Sequence, residues 1–446
     1  MQLLGTLALL FALVPGVAAS GPTRHESEAQ RLHRKGVHCM EVLERNDCAI
    51  ENFEGLLQAH TNERELVTDG MLRLIRLYEK EGRADDIPVL LRDFWDVGRK
   101  RRSQGHVPHS TRYFPEELNI LVNIDTPRIV ASGVMQRLGP EARDYVFTCD
   151  EARRNDIKNR RQWKRAEKKA AAQGKPTWEV AYTQMEAERE REDRRRAGDD
   201  DSPIFLEAAC PVAEALGDAD LLGWSRMTGA MNHQDPRRSI AVAEIPGLAG
   251  KLQAAQAAGR LVAVGPSRWR LVDFEYAGGP VHLTTLDQDE LLVASIPMLD
   301  GVVAARNKRK KRMNRELLAL VEEVPRHTGF FLVMNQAAMR ELGFGRMKRS
   351  SRSVLEALLP RPKGLQIAAV FGDHAGLFTR VPTDNPLKAQ MLVDVATTML
   401  SRSAEKDAEA ARWLANLDIA QSSDRRALLA SYVASSGQLE KLFEGY

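Results

Sequence analysis

At 446 residues the chain is long enough for two or three domains, and a hydrophobic content of 43% is ample for packed cores. This composition excludes a globally disordered protein. The 64 basic and 61 acidic residues leave a formal net charge of +3, so the net charge alone gives no strong attraction to polyanions. Any electrostatic function must therefore come from local clusters of charge.

The first 19 residues have the pattern of a secretory signal peptide. An apolar run from Leu3 to Val14 is followed by Pro15-Gly16 and by small residues that end at Ala19. We therefore expect a secreted or periplasmic protein that is cleaved near Ala19; retention of this segment as an anchor is the alternative. No later stretch of the sequence has 18 uninterrupted apolar residues, so we expect no transmembrane segment in the mature chain.

The four cysteines are interpreted in the light of this expected export, because disulfides persist in oxidising compartments. Four cysteines allow three connectivities. The most local pairing joins Cys39 to Cys48 across one turn, and Cys149 to Cys210 around one excursion of the chain. The alternative is that all four are small buried hydrophobic residues.

The chain after the signal predicts two helical hairpins. From 26 to 57, one apolar stripe includes Leu32, Gly36 and Leu43, and a facing stripe follows a turn at Asn46-Asp47. A second hairpin, from about 68 to 97, has Gly82 at the end of its first helix. Further helices are predicted from 115 to 122, from 126 to 138 and from 140 to 147, so residues 20–150 are expected to form an all-α domain.

Residues 26–100 resemble tetratricopeptide-type helical hairpins. The resemblance rests on the small residue Gly36, on the pair Ala49 and Phe53, and on the run from Leu77 to Arg83. It implies a scaffold of helix pairs whose surfaces bind other proteins.

Residues 151–203 form a charged segment that predicts a helical linker. Between 151 and 202 there are 15 Lys or Arg and 12 Asp or Glu, so the segment cannot bury a core of its own. Trp178, Ala181, Tyr182 and Met185 lie at helical spacing, so this part of the linker is expected to dock onto a globular neighbour.

After this segment, residues 204–446 predict an α+β domain. Two hairpins are expected, one from 269 to 285 around Gly278-Gly279 and one from 365 to 381 around 372–376. Helices are predicted around Leu317 and after Asp384-Asn385-Pro386. Similar short sequences in the two parts of this domain suggest an internal duplication. Its units are expected at 218–305 and 327–443, each with the order strand, helix, hairpin, strand, helix.

The sequence carries few patterns that are typical of catalysis. It has no Gly-x-Ser-x-Gly, no phosphate-binding loop, no His-Glu-x-x-His and no Cys-x-x-Cys. Asp373, His374 and His282 are the best acid or base candidates, and His233 lies in a polar loop; hairpin turns favour such residues for backbone reasons as well. We therefore expect no metal and no cofactor, and leave the catalytic residues unassigned.

Basic residues form the remaining pattern. They predict binding of an anionic polymer or of lipid headgroups, and the alternative is a solvated loop. Few aromatic side chains accompany them, which disfavours nucleic acid as a partner. The residues of this predicted site are Lys308, Arg309, Lys310, Lys311, Arg312, Arg346, Lys348 and Arg349.

Together these patterns predict an exported, non-enzymatic protein with a helical-hairpin domain and an α+β domain, which binds another macromolecule; we expect this partner to be a protein. Two other functions stay open. One is a binder of anionic surface polymer or lipid, and the other is a hydrolase whose residues meet only in three dimensions.

Overall fold

The computed structural model of this protein contains helices and one large sheet. This agrees with the predicted mixture of helices and strands. The N-terminal 26 residues, including the predicted signal, lie outside the described part of the chain. The structure describes residues 27–59, 63–83, 86, 90, 109–174, 176–178, 180–182, 204–276, 279–310, 312–325, 328–339, 362–371, 375–406, 417–422 and 424–434.

The described strands form a single 12-stranded sheet in which all neighbours pair antiparallel. The strand order is β11-β12-β10-β9-β8-β1-β2-β3-β7-β6-β5-β4. The strands are β1 Ile120–Asp125, β2 Arg226–Met231, β3 Ser239–Glu244, β4 Leu261–Gly265, β5 Arg268–Tyr276, β6 Gly279–Thr285, β7 Glu290–Ala294, β8 Phe330–Asn335, β9 Gly364–Phe371, β10 Ala375–Pro382, β11 Leu417–Gln421 and β12 Ala427–Ala434.

Helices precede the sheet, connect its strands and cover its faces. A short 3-10 helix, His109–Tyr113, leads into β1. The α-helices are α1 Glu28–Glu41, α2 Asn46–Ala59, α3 Arg64–Lys80, α4 Thr126–Val130, α5 Gly133–Phe147, α6 Glu151–Gln173, α7 Ile204–Glu207, α8 Ala209–Leu216, α9 Leu248–Ala257, α10 Ile296–Asn307, α11 Arg315–Glu322 and α12 Pro386–Lys406.

The helix predicted from 115 to 122 is wrong, because strand β1 begins at Ile120 and lies at the centre of the sheet. It pairs with β2 on one side and with β8 on the other. A short apolar run is compatible with either a buried strand or a buried helix, and the pairing with distant strands decides between them. The expectation that residues 20–150 are all helical is therefore wrong at this strand.

The two halves of the sheet on either side of the β1/β8 pair have the same order of elements. Outward from β1 lie β2, β3, β7 and β6; outward from β8 lie β9, β10, β12 and β11. In each half the third strand is followed along the chain by a helix, α9 or α12, before the outer strands. The first half also carries the additional edge hairpin β4–β5.

Hydrogen bonds at the β1/β8 pair also relate the two halves of the sheet to each other. The Asp125 amide donates to the Gly329 carbonyl at 2.8 Å, and the Asn335 amide donates to the Asn119 carbonyl at 3.0 Å. Each strand then ends in a side chain that accepts from the amide three residues later, Asp125 from Arg128 and Asn335 from Ala338. Such Asx residues stabilise the start of a helix.

Both predicted hairpins are present, as β5–β6 and as β9–β10. They occupy different positions in the sheet, since β9 and β10 lie next to the centre and β5 and β6 lie near an edge. Their predicted equivalence, on which the units 218–305 and 327–443 were based, is therefore wrong.

Two clusters of buried apolar side chains cover the two faces of the sheet. One runs from α1–α3 through Phe114 and Leu118 to one face of the central strands, and includes α10 and α11. The other lies on the opposite face of the first half, beneath α7, α8 and α9. A Cβ added to Gly229 would lie 2.3 Å from the ring of Phe205, so only glycine lets α7 approach β2 this closely.

The first part of the charged segment forms helix α6, which begins with a side-chain cap from Asp150. Val180 and Ala181 are buried against Ala166 and Ala170 of this helix. Of the side chains expected to dock the segment, Ala181 is buried and Met185 lies outside the described residues; Trp178 and Tyr182 are 65% and 67% exposed, so the prediction is wrong for these two. Contact is made by the small side chains, since these fit the alanine surface of α6.

Candidate functional site

Helices α1 and α2 form a closely packed hairpin because α1 has a glycine at the contact. A Cβ on Gly36 would lie 2.6 Å from the ring of Phe53, which is fully buried. Helix α1 begins with a capping box, in which the Ser27 side chain and the Gln30 side chain each bond the other's backbone amide. The Gly36 contact and this cap fix the position of α1 against α2.

Polar contacts hold α3 across the same hairpin. His33 Nε2 lies 2.6 Å from Asp69 Oδ2, and Arg73 bonds Asp69 at 2.6 Å and Glu41 at 2.7 Å. Burial alone would raise the pKa of Asp69, but hydrogen bonds from His33 and Arg73 outweigh it and hold that pKa below its usual range. The carboxylate thus stays charged, and this group of side chains has a structural role.

An open groove of about 1070 Å³ lies between α1 and α2, and all of its lining residues come from these two helices. Its floor is apolar and includes Leu32, Ile50 and the Cys39–Cys48 disulfide. Its two walls carry opposite charges. On the α1 side lie Arg34, Lys35 and His38, and on the α2 side lie Asp47, Glu51 and Glu54.

Some of the wall residues bond other side chains of this protein, and some face solvent. Glu54 accepts from the Tyr78 hydroxyl at 2.6 Å, and burial together with this carboxylate raises the pKa of Tyr78 well above its usual value. Within the described part of the chain, by contrast, no ion pair engages Lys35, His38 or Glu51. These exposed side chains can pair with a partner that enters the groove.

The predicted anionic site is described in part. Lys308, Arg309 and Lys310 are exposed at the end of α10, where the C-terminal dipole favours cations. The Arg312 amide donates to the Arg112 carbonyl at 2.9 Å, which brings a cation from the 3-10 helix to the same turn. The other predicted members, Lys311, Arg346, Lys348 and Arg349, lie outside the described residues.

Of the predicted acid or base candidates, Asp373 and His374 lie outside the described residues. His233 has a structural environment, because its amide donates to Asn119 Oδ1 at 2.9 Å and its Nδ1 lies 2.5 Å from Asn119 Nδ2. His282 lies on β6 and is almost completely buried. Among the residues that the structure describes, no group of three His, Cys, Asp or Glu side chains could hold a metal ion.

Both predicted disulfides are present. Cys39 and Cys48 join α1 to α2 with a Cα–Cα distance of 5.8 Å. Cys149 and Cys210 join the two ends of the excursion that contains α6, with a Cα–Cα distance of 5.1 Å. Among the described residues, no helix is both long enough and apolar enough to cross a membrane.

Comparisons with known proteins give no family for this chain. No family model matches it, and no curated protein matches it. Among solved structures, crystal form I of TP0453 has a TM-score of 0.34 at 6% identity and covers 76% of this chain and 98% of that chain. Crystal form III has a TM-score of 0.31 at 7% identity, with 77% and 100% covered. These TM-scores are too low for an argument about fold or function.

Proposed function

We propose that this is an exported, non-enzymatic scaffold protein that binds another protein in the groove between α1 and α2. The observation that carries the proposal is the pairing of an apolar floor with one basic and one acidic wall. Export is supported by the predicted signal peptide and by two disulfides, which persist in oxidising compartments.

The chemistry of the groove favours an amphipathic helix as the bound element. Proteins built from helical hairpins bury an apolar face by stacking a further helix against it, and a helix from a partner uses the same contact. Its apolar stripe would cover Leu32 and Ile50, an acidic side chain would face Lys35, and a basic one would face Glu51. Opposite charges on the two walls also fix the direction in which the helix lies.

Charge reversal on each wall tests this function. With a photo-crosslinking amino acid at Gln58, which is exposed at the groove, we expect a defined crosslinked protein partner in the native host. Lys35→Glu and Glu51→Lys should each lower the yield about fivefold, because each replaces one favourable charge pair by a repulsive one worth about 1 kcal/mol. The measurement is quantitative mass spectrometry of the crosslinked peptides.

The matched controls carry the same charge changes outside the groove. Lys363→Glu and Glu405→Lys alter exposed side chains near β9 and on α12 and should leave the yield unchanged. A crosslinker at Leu387, which is 71% exposed on α12, should give no such product. Equal products from Leu387 and Gln58, or equal yields from all four charge variants, would contradict binding in the groove.

A second candidate function is binding of an anionic polymer or lipid headgroup at the end of α10. It is favoured by the approach of Arg112 to the turn that carries Lys308, Arg309 and Lys310. Replacing these three by glutamine should make the protein elute from heparin at lower salt with a flatter salt dependence, because fewer counterions are released on binding.

The control for this experiment removes three cations that already pair with carboxylates. Arg31, Arg45 and Arg160 are exposed and pair with Glu28, Asp47 and Glu141. The triple glutamine variant at these positions has the same net charge as the first and should elute close to the wild type. If both triple variants elute together, retention reflects net charge and the cluster is a solvated turn.

We also infer an internal duplication, with limits that differ from those expected from the sequence alone. The sheet order supports units of about 120–294 and 330–434. Arg226 and Gly364 begin β2 and β9 and are 138 residues apart, as are Leu248 and Pro386, which begin α9 and α12. Between the first and second strands of each unit the sequence has Ser-x-x-x-Leu-Glu-Ala-x-x-Pro, at 202–211 and at 351–360.

A further inference from the structure

One row of side chains crosses the first half of the sheet near its edge. Val262 of β4 pairs with Arg270 of β5, Arg270 pairs with His282 of β6, and His282 pairs with Ala294 of β7. Directly paired residues in antiparallel strands project from the same face of the sheet, with Cβ atoms about 5 Å apart. Arg270 and His282 are therefore neighbours on the face that α10 covers.

His282 is buried without a hydrogen-bond partner for one ring nitrogen. The residue is 9% exposed, and Nε2 has no partner in the described part of the chain. A buried polar atom of this kind destabilises the folded state unless a hydrogen-bond partner satisfies it. The unsatisfied nitrogen therefore points to a group that is bound at this position.

The charged groups around His282 come from the strand beside it and from the helix above it. Arg268 and Arg270 lie on β5, Asp300 lies on α10, and the paired strand β7 contributes the apolar residues Leu291–Ala294. Burial, with the two guanidinium groups, holds the pKa of His282 below its ordinary value, and Asp300 opposes this only in part. The imidazole is thus neutral at pH 7 and can donate from one nitrogen.

The two arginines differ in whether a carboxylate of this protein already binds them. Arg268 Nη1 is bound by Asp300 Oδ1 at 2.6 Å. Arg270 is exposed, and no described carboxylate lies within ion-pair distance of it. Arg270 is therefore a guanidinium that can bind an anion beside the unsatisfied ring of His282.

The N-terminus of α10 directly follows Ala294, which is the last residue of this row. Ala294, the partner of His282, is followed by Ser295, the N-cap of α10, whose side chain makes no capping hydrogen bond. The 12-residue helix presents the positive end of its dipole at this point, with the first-turn amides of Ile296 and Met298; Pro297 between them has no N–H. Such helix starts bind anions when other donors converge on them.

We propose that Arg270, His282 and Ser295 form a binding site for an oxyanion of the phosphate type at the start of α10. The guanidinium offers two parallel donors, the Ser295 hydroxyl and the His282 ring each offer one, and the helix start adds amides. Donors that come from three elements suit a tetrahedral group with three acceptor oxygens better than a flat carboxylate. This site lies in the sheet and does not depend on the groove between α1 and α2.

The first test follows the His282 ring by NMR in protein with labelled histidine, with inorganic phosphate as the probe. Phosphate should shift the His282 signal and raise its pKa, because a bound anion favours the charged imidazolium. Affinity should consequently rise as the pH falls through the pKa of His282. Loss of one signal in His282→Gln assigns the resonance.

Variants then separate a built site from general attraction. Arg270→Gln should weaken phosphate binding about tenfold, since it removes a charged hydrogen-bond donor from an exposed position and leaves the fold intact. Ser295→Ala should weaken it less, and Lys363→Gln, which removes an exposed cation before β9, should leave it unchanged. An unmoved His282 signal in millimolar phosphate, or equal affinity in Arg270→Gln and Lys363→Gln, would overturn the proposal.

Two further probes identify the source of the bound group. Acetate at equal concentration should give less than a tenth of the shift that phosphate gives, and an equal shift would overturn the assignment to a phosphate-type group. Vesicles of phosphatidylglycerol should compete with inorganic phosphate if a lipid headgroup is the ligand. Absence of competition, with phosphate still bound, would identify a free phosphate compound instead.

Discussion

Removal of the Cys149–Cys210 disulfide is expected to lower the free energy of unfolding by about 4 kcal/mol. In the chain-entropy model, a cross-link that closes a loop of 61 residues restricts the unfolded chain by this amount. The folded chain is already arranged for the bond, because Thr148 and Asp220 form a β-bridge and the Leu221 amide donates to the Phe147 carbonyl at 2.9 Å. The two ends of the segment between Cys149 and Cys210 therefore lie next to each other in the folded chain.

The measurement is urea unfolding of the Cys149→Ser/Cys210→Ser variant beside the wild type, under oxidising and reducing conditions. The Cys39→Ser/Cys48→Ser variant serves as a control with a loop of 9 residues, for which the same model gives about 3 kcal/mol. With the disulfides reduced, the differences between the wild type and both variants should vanish. Reaction of all four thiols with a maleimide in the native oxidised protein would show that neither bond exists there.

Local chemistry made several elements predictable from the sequence. Asp384-Asn385-Pro386 predicted a helix start, and the Asn385 side chain accepts from the Lys388 amide at 2.9 Å at the beginning of α12. Gly36 lies on the apolar stripe that was predicted for the first helix, and it closely contacts Phe53 of the second. In each case the residues that determine the structure lie close together in the chain or repeat with the helical period.

Strand β1 could not be found in this way, since its partners are far away in the sequence. Ile120 pairs with Met231 and with Met334, and no turn joins β1 to either strand. The six residues from Ile120 to Asp125 have neither a helical stripe long enough to test nor a hairpin partner nearby. Only the assembled sheet shows that this run lies at its centre.

The candidate sites were also predictable only in part. The charges of the groove lie at helical spacing, with Lys35 and His38 on α1 and Asp47 and Glu51 on α2, so the sequence carries a signal for each wall, and the predicted hairpin places the two helices side by side. His282 was singled out as a histidine on a hairpin. Its pairing with Arg270 and its position before the start of α10 depend on strand register, which the sequence did not specify.

Replacement of Arg380 is the other change with a large expected effect on stability. Its side chain is 2% exposed between β9, β10 and α11, where it pairs with Glu323 and donates to Gln366 Oε1 at 2.9 Å. Gln366 is itself fully buried and donates to the Leu320 carbonyl at 2.6 Å. Arg380→Met should lower the free energy of unfolding by about 1–3 kcal/mol, because it leaves the buried Gln366 side chain without its partner.

A double variant tests that explanation against simple loss of packing. Arg380→Met/Gln366→Leu should recover part of the lost stability, since removing both partners of a buried hydrogen bond costs less than removing one. The Leu320 carbonyl, which loses its donor, limits the recovery. Arg238→Met, at a side chain that is 55% exposed and pairs with Glu117, should change stability by less than about 1 kcal/mol. If Arg380→Met costs no more than this control in urea unfolding, the buried charge pair contributes nothing to the stability of the sheet.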